Sequence, residues 1–185
     1  MKKHITRILK IVIILPSIMF LAIINIPIPI SIDIHALEVI VGDPSHVIER
    51  TVRIQGWYRI NFFVDYHEFR GEIVISGEYI TNKELGRLRL QPLAGVGGYR
   101  GSLLSYGNIR QVAHASDRDL IDVENFGMIF VRGVFGDAMI LPWRDDGNIR
   151  SLIGGPVIVL GAASRDEAVE RILDAHPASF HPLYD

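Results

Sequence analysis

The chain of 185 residues contains no cysteine. That excludes a disulfide framework, a thiolate zinc site, a thiol nucleophile and a lipid-modified N-terminal cysteine. A strong excess of charge of either sign is also missing: the formal net charge is −2, which removes the compositional argument for a nucleic-acid partner. No internal repeat, heptad or low-complexity tract is visible. What is present is 49% hydrophobic residues in 20.8 kDa, enough for one modest domain with a real core and a possible appendage.

Acidic residues are absent from the first 32 positions, where Lys2, Lys3, Arg7 and Lys10 precede 22 consecutive uncharged residues ending before Asp33. Only Pro16, Ser17, Asn25, Pro27, Pro29 and Ser31 interrupt the apolar character of that run. A helix needs about 20 apolar residues to cross a bilayer, and a core helix would show a polar stripe that this run lacks. A cationic flank stays on the cytoplasmic side, so the remainder is expected outside. Residues 1–36 therefore read as a signal peptide or a signal anchor. Ala36 is a tolerable residue before a cut, but Ile34 is bulky for its position and no clean A-x-A site follows, which favours retention over cleavage. Either way the expected location is the cell membrane, with an extracytoplasmic C-terminus, or the exterior after release.

Beyond residue 32 the chain carries 15 basic and 21 acidic residues, a net of −6, and Lys83 is the only lysine beside fourteen arginines. Such a domain is not drawn to nucleic acid or to an anionic membrane surface by its bulk charge. We read it as one domain, residues 37–185.

Period-two alternation between glycine punctuation marks this part as β-rich. Ile60, Phe62, Val64 and Tyr66 alternate with Arg59, Asn61 and Asp65. After a turn at Tyr66-His67-Glu68, Phe69, Gly71, Ile73 and Ile75 alternate with Arg70, Glu72 and Ser76. Leu88 and Leu90 alternate with Arg87, Arg89 and Gln91. Val47 to Ile54 reads as the first strand of the domain. Gly127 to Pro142 reads as a hairpin with a two-residue type II′ turn at Gly136-Asp137.

The end of the chain carries the strongest local signal. Gly155-Pro156 leads into the apolar run Val157-Ile158-Val159-Leu160, and Ser164 and Glu167 then have capping-box spacing. A helix over 165–176 follows, with Ala168, Val169, Ile172 and Leu173 on its apolar face, acids in its first turn, and Pro177 to stop it. The expected fold is α+β: an antiparallel β-sheet or half-barrel with one C-terminal helix packed on it, preceded by an N-terminal hydrophobic helix.

This layout of hydrophobic leader, β-rich middle, and Val157-Ile158-Val159-Leu160 followed by Ser164-Arg165-Asp166-Glu167-Ala168 resembles small exported or membrane-anchored proteins of Gram-positive bacteria. The resemblance implies topology alone and assigns no functional residue.

The residues that could carry chemistry do not assemble into a known pattern. Of His4, His35, His46, His67, His114, His176 and His181, no pair has helical zinc spacing, and Asp117, Asp119, Asp122 and Glu124 lack the glycine and ligand spacing of a calcium loop. Gly95-Val96-Gly97-Gly98-Tyr99-Arg100-Gly101 meets neither dinucleotide nor P-loop spacing and leads into a strand-like Ser102-Leu103-Leu104. His114, Ser116 and Asp117 are too close in sequence to form a triad across separate elements, and no Gly-x-Ser-x-Gly elbow exists. Trp57-Tyr58 and Trp143-Arg144 are aromatic clusters that fit either ligand contact or core packing. Accordingly no catalytic, metal or cofactor residue is assigned. The expected function is a non-catalytic binding module that contacts the membrane through its leader and a protein partner in the envelope. The alternative is a small exported hydrolase with unidentified acid and base residues.

Overall fold

The computed structural model describes residues 27–61, 64–93, 98–107, 123–143 and 154–175. The leader residues 1–26 lie outside the described residues, so the expected N-terminal helix is not characterised. Among the described residues no helix is long and apolar enough to cross a membrane.

Eight strands are described: β1 Ile28–Ile40, β2 Asp43–Arg59, β3 His67–Ile75, β4 Leu88–Pro92, β5 Arg100–Gly107, β6 Val123–Arg132, β7 Asp137–Pro142 and β8 Val157–Leu160. Every strand pairs antiparallel with its neighbours in sequence, and β8 pairs with β1. The antiparallel sheet with one C-terminal helix packed on it is as expected, and the sheet goes beyond the half-barrel to close fully, as an up-and-down barrel. Closure removes both sheet edges where β1 and β8 meet.

Alternation explains how each strand serves two environments. Val52, Ile54 and Tyr58 of β2, Phe69, Ile73 and Ile75 of β3, Leu104 and Tyr106 of β5, and Ile129 and Val131 of β6 fill the barrel. β8 is buried on both sides. Its Ile158 and Leu160 point into the barrel, while Val157 and Val159 join Leu37, Val39, Met139 and Leu141 in a second cluster on the outer face. Helix α1, Arg165–Ala175, covers that second cluster with Ala168, Ile172 and Ala175. One sheet face alone could not bury so continuous an apolar run; a barrel wall roofed by a helix can.

Two glycine contacts permit the strong curvature that closure demands. Gly56 and Gly71 stand opposite each other on β2 and β3, and a Cβ on Gly56 would lie 2.2 Å from the Arg70 carbonyl oxygen. Gly127 faces Pro142 of β7, and its Cβ would lie 2.2 Å from the Leu141 carbonyl oxygen. No side chain of any size fits between backbones this close.

Several local expectations change. β1 begins at Ile28, within the stretch read as leader, so the boundary at residues 36 and 37 falls inside a strand. Val47 to Ile54 belongs to the second strand. The run read as a strand from residue 59 instead leaves β2 at Arg59, and His67, placed in a turn, opens β3. The β6–β7 connection has four residues, Gly133 to Gly136, because Arg132 pairs with Asp137. Gly133 and Phe135 both take positive φ there, 73° and 57°, which turns the Phe135 ring into the barrel. The capping box forms: Glu167 N–H donates to Ser164 Oγ at 3.2 Å, and Ala163 N–H, one residue earlier than the usual partner, donates to Glu167 Oε2 at 2.9 Å. Leu173, expected in the apolar interface, is exposed.

Candidate functional site

Inward positions at the two ends of the barrel are polar. At the end where β2 leaves for β3, Tyr58 Oη lies 2.7 Å from His67 Nδ1 and 3.2 Å from the Gly133 carbonyl oxygen. A carbonyl only accepts, so for both contacts to be hydrogen bonds the hydroxyl donates to Gly133 and Nδ1–H donates to the hydroxyl. Burial pushes the Tyr58 phenol up to about 12. Burial, followed by the Arg100 charge, pushes His67 below its ordinary value, with Asp65 partly opposing. Phe135 packs edge-on against Tyr58 and Phe69, with ring centres 5.7 and 5.0 Å apart, and closes this end. The neutral imidazole and protonated phenol are held by one another and by a fixed carbonyl, which is the arrangement of a satisfied core pair.

At the opposite end, Glu38 is 7% exposed. It accepts from Arg50 Nε and Nη2 at 3.0 and 2.8 Å, and its other oxygen lies 3.0 Å from His46 Nε2. Arg50 also reaches Glu78 at 3.2 Å and donates to the Ser76 carbonyl oxygen at 2.9 Å. This network ties the β1–β2 hairpin to the end of β3.

The outer wall of β2, β3 and β4 is different in kind. Register places Trp57 opposite Arg70 and beside Pro29, Arg59 opposite Glu68, and Glu68 opposite Arg89. Glu68 accepts from Arg70 Nε at 2.8 Å and from Arg87 Nε at 3.0 Å. Burial works to raise the Glu68 carboxyl, but the Arg70 hydrogen bond and the charges of Arg70, Arg87 and Arg59 outweigh it and hold it below the usual range. Three arginines, Arg59, Arg70 and Arg87, therefore act on a single carboxylate, while Arg89, opposite Glu68 in register, holds its guanidinium 5.6 Å from the centre of the Tyr66 ring. Trp57 beside them is 56% exposed.

Two open grooves meet on this wall and share Arg70. One, of ≈350 Å³, is lined by Pro27, Trp57, Arg59, Glu68 and Arg70. The other, of ≈870 Å³, runs between Arg53, Arg70 and Glu72 and the segment from Thr81 to Arg87. A further groove of ≈700 Å³ lies beside α1, between Arg132 and the exposed Glu170 and Asp174. None of these grooves is lined by Tyr58, His67 or Glu38.

The structure separates the residues of the Trp57-Tyr58 pair: Tyr58 is core, Trp57 is surface. Trp143 is half-buried beyond β7, its backbone N–H donating to the Phe126 carbonyl oxygen at 2.8 Å. Arg144, His4, His114, His176, His181, the residues Ser116 to Asp122 and residues 95–97 of the glycine-rich stretch lie outside the described residues, and Arg100 and Gly101 of that stretch open β5. Glu124 of the acidic run pairs with Lys83 at 2.6 Å. Among the described residues no three His, Asp or Glu side chains gather in a way that could hold a metal ion. Arg59, Arg70, Arg87 and Arg89 fall on the polar faces of their strands in the sequence, with nothing local to join them. Their alternation was the available signal.

Comparison of the chain with protein-family models, with curated proteins and with solved structures finds no match.

Proposed function

We propose that this chain is an extracytoplasmic barrel module, carried to the cell membrane by its N-terminal segment and either held there or released. It acts by contact rather than by catalysis. The contact face is the outer wall of β2–β4, where Trp57 stands among Arg59, Arg70, Arg87 and Arg89. The observation that supports this reading is the division of labour in the barrel. The interior is filled by Tyr58, Phe69, Tyr106, Phe135 and aliphatic side chains, while the exposed Trp57 shares one outer wall with Arg59, Arg70, Arg87 and Arg89. Tryptophan and arginine dominate the energetics of contact surfaces, and guanidinium forks match carboxylate and phosphate oxygens. The face therefore suits an anionic partner.

Photo-crosslinking in cells tests the proposal. A photoreactive residue at position 57 should give discrete adducts, and one at Glu170, on the helix side, should give none. Indistinguishable adduct patterns at the two positions would remove the β2–β4 wall as the contact face.

A further inference from the structure

We infer that the partner of the β2–β4 wall is the anionic phospholipid surface of the membrane itself, an inference that rests on the tethered form of the function proposed above. Pro27, the first described residue, lines the same groove as Trp57, Arg59 and Arg70. The preceding residues, Ile11 to Ile26, are the first 16 of the 22-residue uncharged run, interrupted only by Pro16, Ser17 and Asn25. No polar spacer separates Ile26 from Pro27, so a bilayer that takes up the apolar stretch holds this end of the barrel at headgroup level.

The end so placed has the chemistry of a headgroup contact. Trp57 is 56% exposed, and Ile28 and Val64 at the same end of the barrel are 39% and 42% exposed. Indole rings concentrate at membrane–water interfaces because one side is apolar and the N–H stays wet. Three arginines around Glu68, with Arg89 beside them on β4, leave a cationic surplus, and guanidinium groups bind phosphate oxygens by paired hydrogen bonds. The net charge of −6 beyond residue 32 argues against attraction of the domain as a whole, and it also orients it. The acidic remainder is repelled from an anionic leaflet, and the arginine wall is the face that can approach. A tether makes even weak docking effective by keeping the local lipid concentration high.

The test uses the full chain carrying W143F, which leaves Trp57 as the sole tryptophan. It is mixed with vesicles of phosphatidylcholine alone or with phosphatidylglycerol, some lipids carrying bromine near the headgroup. The readouts are flotation with the vesicles and quenching of Trp57 fluorescence. Flotation with both vesicle types, with quenching that requires phosphatidylglycerol and is lost in R59Q/R70Q, is the expected result. E68Q should move quenching to lower phosphatidylglycerol content, a gain that misfolding cannot produce. Flotation without quenching overturns the docking and leaves the tether standing. Flotation with phosphatidylglycerol vesicles only, with quenching, supports the docking and removes the tether. No flotation with either removes both.

Discussion

The Tyr58 hydroxyl and His67 Nδ1, 2.7 Å apart beneath the Phe135 ring, tie the end of β2 to the start of β3 inside the barrel. The burial of His67 at this bond makes the protein's stability depend on pH in a defined window. His67 titrates below its ordinary 6.5 when folded, through burial and the Arg100 charge. The unfolded chain therefore takes up this proton first, and the contribution of His67 is complete above about pH 6.5 and is lost as pH falls through the folded pKa. Asp43, Glu68 and Glu167, whose pKa values are also lowered, act in the same direction only below 4.5. Melting temperatures should fall from about pH 6.5 downward, and H67Q should flatten that limb while leaving the more acid one intact. An unchanged limb in H67Q would assign it elsewhere.

Breaking the opposite end should be expensive. Removing Arg50 takes both guanidinium donors from Oε2 of the buried Glu38, and one-sided removal of a buried pair costs about 3–5 kcal/mol. Arg50→Met should lose about 3 kcal/mol in urea unfolding, and adding Glu38→Leu should return much of it. If the double variant is no better than the single one, the pair is not the origin of the loss.

Glycine at position 56 should be irreplaceable. In Gly56→Ala the new methyl meets the Arg70 carbonyl at 2.2 Å and the Gly71 Cα at 2.7 Å, contacts that only backbone movement relieves. Overpacking of this kind costs about 1–3 kcal/mol or more. Gly136→Ala, with nothing within 4 Å, should stay within about 0.5 kcal/mol. Comparable losses would mean that the β2–β3 contact is looser than described.

Helix α1 supplies an internal comparison. Ile172 is fully buried and Leu173 is 51% exposed. Ile172→Ala should cost about 2–5 kcal/mol and Leu173→Ala about 0.5. Ser164→Ala should fall between them at about 1 kcal/mol, through loss of the cap. Equal, near-zero losses at Ile172 and Leu173 would describe a helix detached from the barrel.

Legibility in the sequence follows the range of the interaction. β8, α1 and its capping box are local patterns, and each was readable from residues a few positions apart. β1 was not. Ile28, Ile30, Ile32 and Ile34 alternate with Pro29, Ser31, Asp33 and His35, but the apolar run before them made the first part of that alternation look like the tail of a leader. Only pairing with β2 makes it a strand. Closure was hidden for a related reason, since it depends on Ala36 meeting Leu160, a contact without a local signature. Arg59, Arg70 and Arg87 each looked like an ordinary solvent-side residue. Their convergence on Glu68 is a product of register and of the Glu68 side chain reaching both β3 and β4 neighbours.

The β1–β8 seam also orders events during folding. β1 precedes all its sheet partners, and β8, a strand of four residues, comes last. Until Val157–Leu160 has docked, β1 and β7 each offer an unsatisfied edge, and Leu37, Val39 and Met139 have no helix above them. A transcript truncated before Val157 would yield a chain with both edges open and a bare apolar outer wall, the form most prone to aggregation and proteolysis. The last described strand and helix thus close the two edges and cover the apolar wall that everything before them leaves open.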